Sequence, residues 1–462
     1  MKEYYIYKLK NVDLQERVKH FQPDFDFNID FGYLIIHFII QSMAYKIDKT
    51  YSDVYKPYIP LSSILLQSYN HDYRNHIRYL GENFPSIGNI LERQNYREGR
   101  SYSYRLRPFY QNVQLEPYLI TDRFLSRKLK SNSLKDVPIE IRKNCNFLVN
   151  CFDSELLTID FQKALDLNSD ELEEKGNLKK YFVNAFKILK IKNGEYHMSL
   201  NPLTDGRFHS NITGFPKQFR KFLKYNGEKL AEIDISTSVP TFLYYFLQNY
   251  KSNSSSHIKN IIKDKEYYNH YMLVKDSVSL DNIEIHSFGN KILNGLLYRD
   301  FQLKLQEFHA LEDTYHDWQF NEYFFPQLSD ANCSKTLRIR DLTLREAKSA
   351  LLSMLNAKNG TFNLEEISFK DSFPTILKFV KSFKKGNHLN FSRLMLQMES
   401  YFMLNIIARR LSNKFKKKLP FFTLHDCIVV VESKIDVVYD FMEGTFETEL
   451  GFIPVMKIKT WD

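Results

Sequence analysis

The chain reads as an α+β protein. Three observations carry that reading. Apolar residues recur at helical spacing through the middle of the chain, the last part from Pro420 is rich in β-forming residues, and two acidic residues, Asp234 and Asp426, each sit at the end of a strand-like run.

Composition bounds the rest. The 462 residues suffice for one large or several ordinary domains, and 43% hydrophobic content supports a sizeable buried core. A net charge of +9 suits a polyanionic partner, since binding phosphates to Lys and Arg releases counterions; simple solubility is the alternative use of that charge. The 30 Tyr and 38 Phe can stack on bases, though most belong to a core. Cys145, Cys151, Cys333 and Cys427 form no CxxC pair, which argues against a zinc site and against a disulfide framework. The first residues lack the apolar centre of a signal peptide, and the longest apolar runs, such as Tyr33 to Ile40, fall far short of the ~20 residues of a membrane span. A soluble, cytoplasmic protein with no membrane partner is expected.

In chain order, the first ~50 residues mix short apolar and polar stretches and define no module. Between 51 and 112 the pattern sharpens. Ile64, Leu65 and Leu66 form one helix-like run, and Tyr73, Ile77 and Leu80 a second that Gly81 ends. Two strand-like segments follow, joined by a turn at Arg97-Glu-Gly-Arg100. The second puts Tyr102, Tyr104 and Leu106 on one face and Ser103, Arg105 and Arg107 on the other. Helix, helix, basic hairpin resembles a winged helix, in which Arg97, Arg100, Arg105 and Arg107 would contact phosphates. A small α+β unit with a solvated charged face is the competing reading. From 116 to 201 the chain reads as mostly helical, with Phe182, Phe186 and Leu189 at helical spacing. Residues 251–256 form a loop, and a charged helical stretch runs to about 386.

Two motifs carry chemistry. In Leu230-Ala-Glu-Ile-Asp-Ile-Ser-Thr-Ser-Val-Pro240, Ile233 and Ile235 flank Asp234 in strand alternation. Ser236 or Ser238 is expected to cap a helix with Pro240 in its first turn. In Phe421-Phe-Thr-Leu-His-Asp-Cys-Ile-Val-Val-Val431, two β-forming runs flank a polar His425-Asp426 tip. A carboxylate at a strand end, beside an exposed backbone carbonyl, suits a divalent cation. Two such carboxylates suit two cations ~3.5–4 Å apart acting on a phosphoryl group.

These motifs, with Thr204-Asp-Gly-Arg-Phe-His-Ser-Asn-Ile-Thr-Gly-Phe-Pro216 upstream, resemble the Gly-Arg segment and motifs A and C of family A (DNA polymerase I-like) polymerases, relatives of single-subunit phage-type RNA polymerases. The match runs from about Pro202 to the C-terminus, in the family order.

The resemblance implies a right-hand fold and a template-directed polymerase, most simply a DNA polymerase. Residues 202–250 and 387–462 would be the palm, 251–386 the fingers and 116–201 a thumb-like region, with the winged-helix-like unit in 1–115. Two Mg2+ or Mn2+ ions would be held by Asp234, Asp426 and the Ile235 carbonyl, and His425 would position the primer terminus. Arg207, Arg393 and Gln397 would contact the primer-template. Arg345 and Lys348, three apart on one helix face, would take the triphosphate, although the family spaces its Arg and Lys four apart and carries a tyrosine where this chain has Asn356.

Val239 stands where DNA polymerases of the family carry Glu and the RNA enzymes Gly, so the choice of sugar stays open. The ~200 residues before the core are short for a thumb plus a proofreading exonuclease, and none is expected. Template-primer and nucleoside triphosphates are the implied partners, and no protein partner can be inferred. The compactness fits a phage or mobile replicon. An RNA polymerase or primase on the same scaffold, or a non-catalytic replication initiator, are the alternatives.

Overall fold

The computed structural model describes residues 3–46, 57–85, 88–94, 101–111, 113–133, 137–250, 260–262, 264–315 and 342–462. The chain divides into two compact units, Met1–Ser199 with His209–Leu230 and Trp461–Asp462, and Leu200–Phe208 with Ala231–Thr460. Both mix helices with small antiparallel sheets, the α+β class expected. Among the described residues no helix is long and apolar enough to cross a membrane.

The first unit is organised around the helix Ile29–Lys46. Phe31, Leu34, Ile35, Ile36, Ile39 and Ile40 are all buried, so the helix is apolar nearly all round and sits inside the core. This is the apolar run that the sequence left unassigned. The strand Tyr5–Leu9 packs on it and pairs with Leu115–Leu119 in antiparallel register, Tyr5 opposite Leu119. The helix Leu178–Asn193 completes the core through Phe182, Phe186 and Leu189, and the buried Tyr7 hydroxyl donates to the Ala185 carbonyl at 3.0 Å. The first 115 residues and the helical stretch after them therefore share one core.

Several buried polar groups here find partners within the core. His37 Nδ1 accepts from the Tyr7 amide at 2.9 Å, and burial pushes its pKa down to about 3, keeping the ring neutral. The Asp30 carboxylate accepts from Tyr118, Thr121 and the Asp122 amide. The Arg17 guanidinium donates to the carbonyls of Tyr79, Glu82 and Gly88.

Over 57–110 the two expected helices form as Ser63–Tyr69 and Tyr73–Gly81, and the two strands as Leu91–Arg93 and Ser103–Leu106. A short strand the sequence did not reveal, Ile59–Pro60, pairs with the far side of Ser103–Leu106. Tyr104 and Leu106 face inward as their alternation requires, whereas Ile64 and Leu65 of the first helix are exposed and only Leu66 is buried.

The second unit pairs Phe421–Leu424 with Cys427–Val431 as a hairpin, and Ala231–Ile235 with Met456–Thr460. Against these strands lie the apolar helix Ser238–Gln248 and the helix Leu389–Ser400, whose stripe of Phe391, Leu394, Met395 and Met398 is fully buried. Phe242 stacks on Phe402 with ring centroids 5.5 Å apart. Gly289, in the helix Asn282–Leu293, leaves room for the Tyr244 ring, since a Cβ there would stand 2.1 Å from it. After Ser400 the helix widens into a π-helical segment, Tyr401–Ala408, before Arg409–Lys414.

Candidate active site

The carboxylates meet because two backbones are tied together. The hairpin register sets Leu424 opposite Cys427, leaving His425 and Asp426 as a two-residue turn. His425 takes φ +62°, a conformation uncommon for a residue with a side chain. The Ile235 amide donates to the Asp426 carbonyl at 3.3 Å, fixing the strand end that carries Asp234 against this turn. Ligand atoms of Asp234, Asp426 and Cys427 then lie within 4.8 Å of one another. The Cys427 thiol donates to Asp234 Oδ1 at 3.1 Å and stands 3.7 Å from Asp426 Oδ1.

A third carboxylate acts on Asp426 through its charge. Glu399 is almost completely buried at the end of the helix Leu389–Ser400. Arg207 Nε donates to its Oε1 at 2.8 Å, and the Ser238 hydroxyl to its Oε2 at 2.6 Å. Ser238 is thus spent on Glu399, and the cap position of the following helix falls to Thr237; Pro240 lies in the first turn as expected. Burial, then the charges of Glu399 and Asp234, push the Asp426 pKa up to about 7, with Arg207 opposing. The donor set fits a divalent cation: carboxylate oxygens that repel one another are stabilised by a positive ion between them, and the thiol adds a softer donor. On the open side, Lys459 Nζ pairs with Asp234 Oδ2 at 2.5 Å and lies 3.6 Å from Glu232. Asp234 and Glu232 share a strand face opposite Lys457 and Lys459.

Lys348 also comes to this place. The helix Leu344–Asn356 starts at a capping box of Thr343 and Glu346. One turn in, Lys348 Nζ donates to the Ser236 carbonyl at 3.3 Å and sits 5.4 Å from the centre of the Tyr298 ring. Tyr298 is buried, and its hydroxyl is kept protonated by that burial and by the Asp426 charge. Arg345 is exposed near the start of the same helix, and Val239 is half-buried at the start of the helix Ser238–Gln248.

The remaining residues are placed as follows. Gln397 is buried and donates to the carbonyls of Pro202 and Thr204, while the Ser400 hydroxyl donates to Gly206, so the helix Leu389–Ser400 holds the Gly-Arg loop from beneath. Arg393 pairs with Asp264 at 3.5 Å and lies over the Tyr267 ring at 4.8 Å. In the first unit, Arg105 pairs with Glu92, its register partner, at 2.7 Å. Arg97 and Arg100 lie outside the described residues.

Glu399, Tyr298 and Lys459 escaped the sequence reading, which took Ser238 as a helix cap and Cys427 only as part of the hairpin run. For Glu399 a signal existed: it sits among the buried stripe positions of its helix, where an unpaired carboxylate is costly.

No family model matches the chain, and no curated protein does. Among solved structures, the polymerase domain of Pol1 from M. smegmatis, in complex with a DNA primer-template and dNTP, aligns with a TM-score of 0.26 and 10% identity over 64% of this chain. The chain spans about half of that one, 55%.

Proposed function

We propose that the chain is a template-directed nucleotidyltransferase, most simply a DNA polymerase, with its chemistry at Asp234 and Asp426. The observation that carries this reading is the convergence of the two carboxylates at the bond between the Ile235 amide and the Asp426 carbonyl. In this reading Asp234, Asp426 and the Ile235 carbonyl hold two Mg2+ or Mn2+ ions. Such a pair supplies activation of the primer hydroxyl and charge neutralisation at the leaving pyrophosphate. Lys348, already beside the Asp234 strand end, and Arg345 on the same helix bind the triphosphate. Arg207 and His425 face the primer-template, with Arg393 and Gln397 supporting it. Residues 202–250 and 387–462 act as palm, 251–386 as fingers, 116–201 as thumb. The winged-helix-like unit over 51–112 engages template.

A second reading, an RNA polymerase or primase, draws support from Val239. Valine fills space near the sugar but offers no hydrogen bond with which to reject a 2′-hydroxyl. Extension of a labelled primer on a DNA template with Mg2+, with deoxyribonucleotides or ribonucleotides offered separately, tests both. Extension from the deoxyribonucleotide pool supports the first reading, and extension from the ribonucleotide pool the second. Nucleic-acid binding without turnover, indifferent to Asp234→Asn, would instead assign a non-catalytic initiator.

A further inference from the structure

Of the four hairpin arginines singled out in the sequence, Arg105 is taken up by Glu92 and lies over the Tyr58 ring. A second group of arginines in this unit lines a cavity. Between the helix Tyr73–Gly81 and the strands Leu91–Arg93 and Ser103–Leu106 runs a cavity of about 1080 Å³, lined by Arg74, Arg78, Arg93, Tyr73, Tyr102 and Glu82, among others. Among the described residues of this lining, three arginines outweigh one carboxylate.

Their arrangement discriminates among partners. Arg78 is neutralised, with Nη2 2.6 Å from Asp24 and Nε 3.8 Å from Glu82. Arg74 and Arg93 are both exposed and both paired with tyrosine rings instead. Arg74 lies 5.9 Å from the centre of the Tyr73 ring, with its Nε donating to the Tyr73 hydroxyl at 3.2 Å, and Arg93 lies 5.1 Å from the centre of the Tyr102 ring. Tyr102 itself is 42% exposed. The groove thus holds two cation–tyrosine pairs, one from the helix and one from the strands.

We infer that this groove binds single-stranded nucleic acid. Each arginine reaches a phosphate while the neighbouring tyrosine stacks on a base, and stacking requires bases that are not already enclosed in a duplex. Recognition by aromatic face and backbone charge is tolerant of sequence, so the ligand is defined by strandedness. A duplex would call for a protruding element entering one of its grooves, whereas this lining is concave. The site uses none of the catalytic residues.

The test uses the full chain without nucleotides. Fluorescence anisotropy is read with a labelled oligothymidine and with a duplex of equal length, and an iodouracil-substituted strand is photocrosslinked and its adducts mapped. The expected result is tighter binding of the single strand and adducts at Tyr73 or Tyr102. Arg74→Ala with Arg93→Ala should weaken single-strand binding at least tenfold and make the salt slope shallower by about 0.7 for each phosphate no longer neutralised. Arg74→Lys with Arg93→Lys should retain most of the affinity, and Asp426→Asn should leave it unchanged. All of these arginines are exposed, so unaltered thermal unfolding is the folding control. Tighter duplex binding, a change below twofold in the double alanine variant, or adducts confined to other residues would overturn the inference.

Discussion

The amide of Ile235 donates to the carbonyl of Asp426 at 3.3 Å, joining the end of one strand to the turn of a hairpin. Through that bond ligand atoms of two carboxylates far apart in sequence, both half-buried, and of the buried Cys427 thiol come within 4.8 Å of one another. Without a cation the arrangement is unfavourable to the fold, because burial and two neighbouring carboxylates oppose the charge of Asp426.

Asp426 holds a proton more tightly in the folded chain, with a pKa of about 7 against 3.8 unperturbed. Between those values the folded state binds more protons than the unfolded one, so metal-free stability falls as pH rises from about 4 to 7 and levels off above. Asp426→Asn should flatten that dependence and raise the metal-free melting temperature near pH 7. Mg2+ or Mn2+ at about 100 times its Kd should stabilise the wild type by roughly 2.7 kcal/mol and the variant by much less. Thermal unfolding across pH, with and without the ion, measures both.

Lys459 occupies Asp234 Oδ2 at 2.5 Å and competes with a cation for it. Lys459→Met should therefore tighten metal binding several-fold in the absence of nucleotide, since it frees the oxygen and removes a like charge. Titration calorimetry with Mn2+ reads the change directly, and weaker binding would show that Lys459 organises the site.

The pair of Arg207 and Glu399 is a stability element as well as a candidate nucleic-acid contact. Arg207→Met leaves the Glu399 carboxylate buried without its guanidinium and should cost about 3 kcal/mol. Adding Glu399→Gln removes the unpaired charge and should restore more than half of that loss. Urea unfolding of both single variants and the double variant gives the coupling.

Tyr298 holds its ring beneath Lys348. If the lysine receives the triphosphate, Tyr298→Phe keeps the cation–ring contact and should leave nucleotide KM within about twofold. Tyr298→Leu should raise KM several-fold with a smaller change in kcat, a cation–π contact contributing roughly 0.5–2 kcal/mol. Steady-state kinetics over nucleotide concentration separate the two parameters.

What the sequence made legible was periodic or local. The stripe from Phe391 to Met398 shows itself by helical spacing, and the His425-Asp426 tip by the β-forming runs on either side. What stayed hidden depends on partners distant in the chain. Tyr5–Leu9 looks like no module until Leu115–Leu119 pairs with it, and Ile59–Pro60 is too short to show alternation. Glu399 falls four residues after Met395, beside the buried stripe, but the partners that enclose it, Arg207 and Ser238, are distant in the chain. Lys459 lies one strand over from Asp234, and Tyr298 one helix over from Lys348, relations that no spacing encodes.

The most direct test is primer extension by wild type and Asp426→Asn, side by side, on a primed DNA template with Mg2+ and deoxyribonucleotides. The account predicts extension by the wild type and a loss of at least a thousandfold in the variant, with primer-template binding retained. Equal extension by both proteins would contradict it, because no carboxylate at position 426 would then be needed for the chemistry.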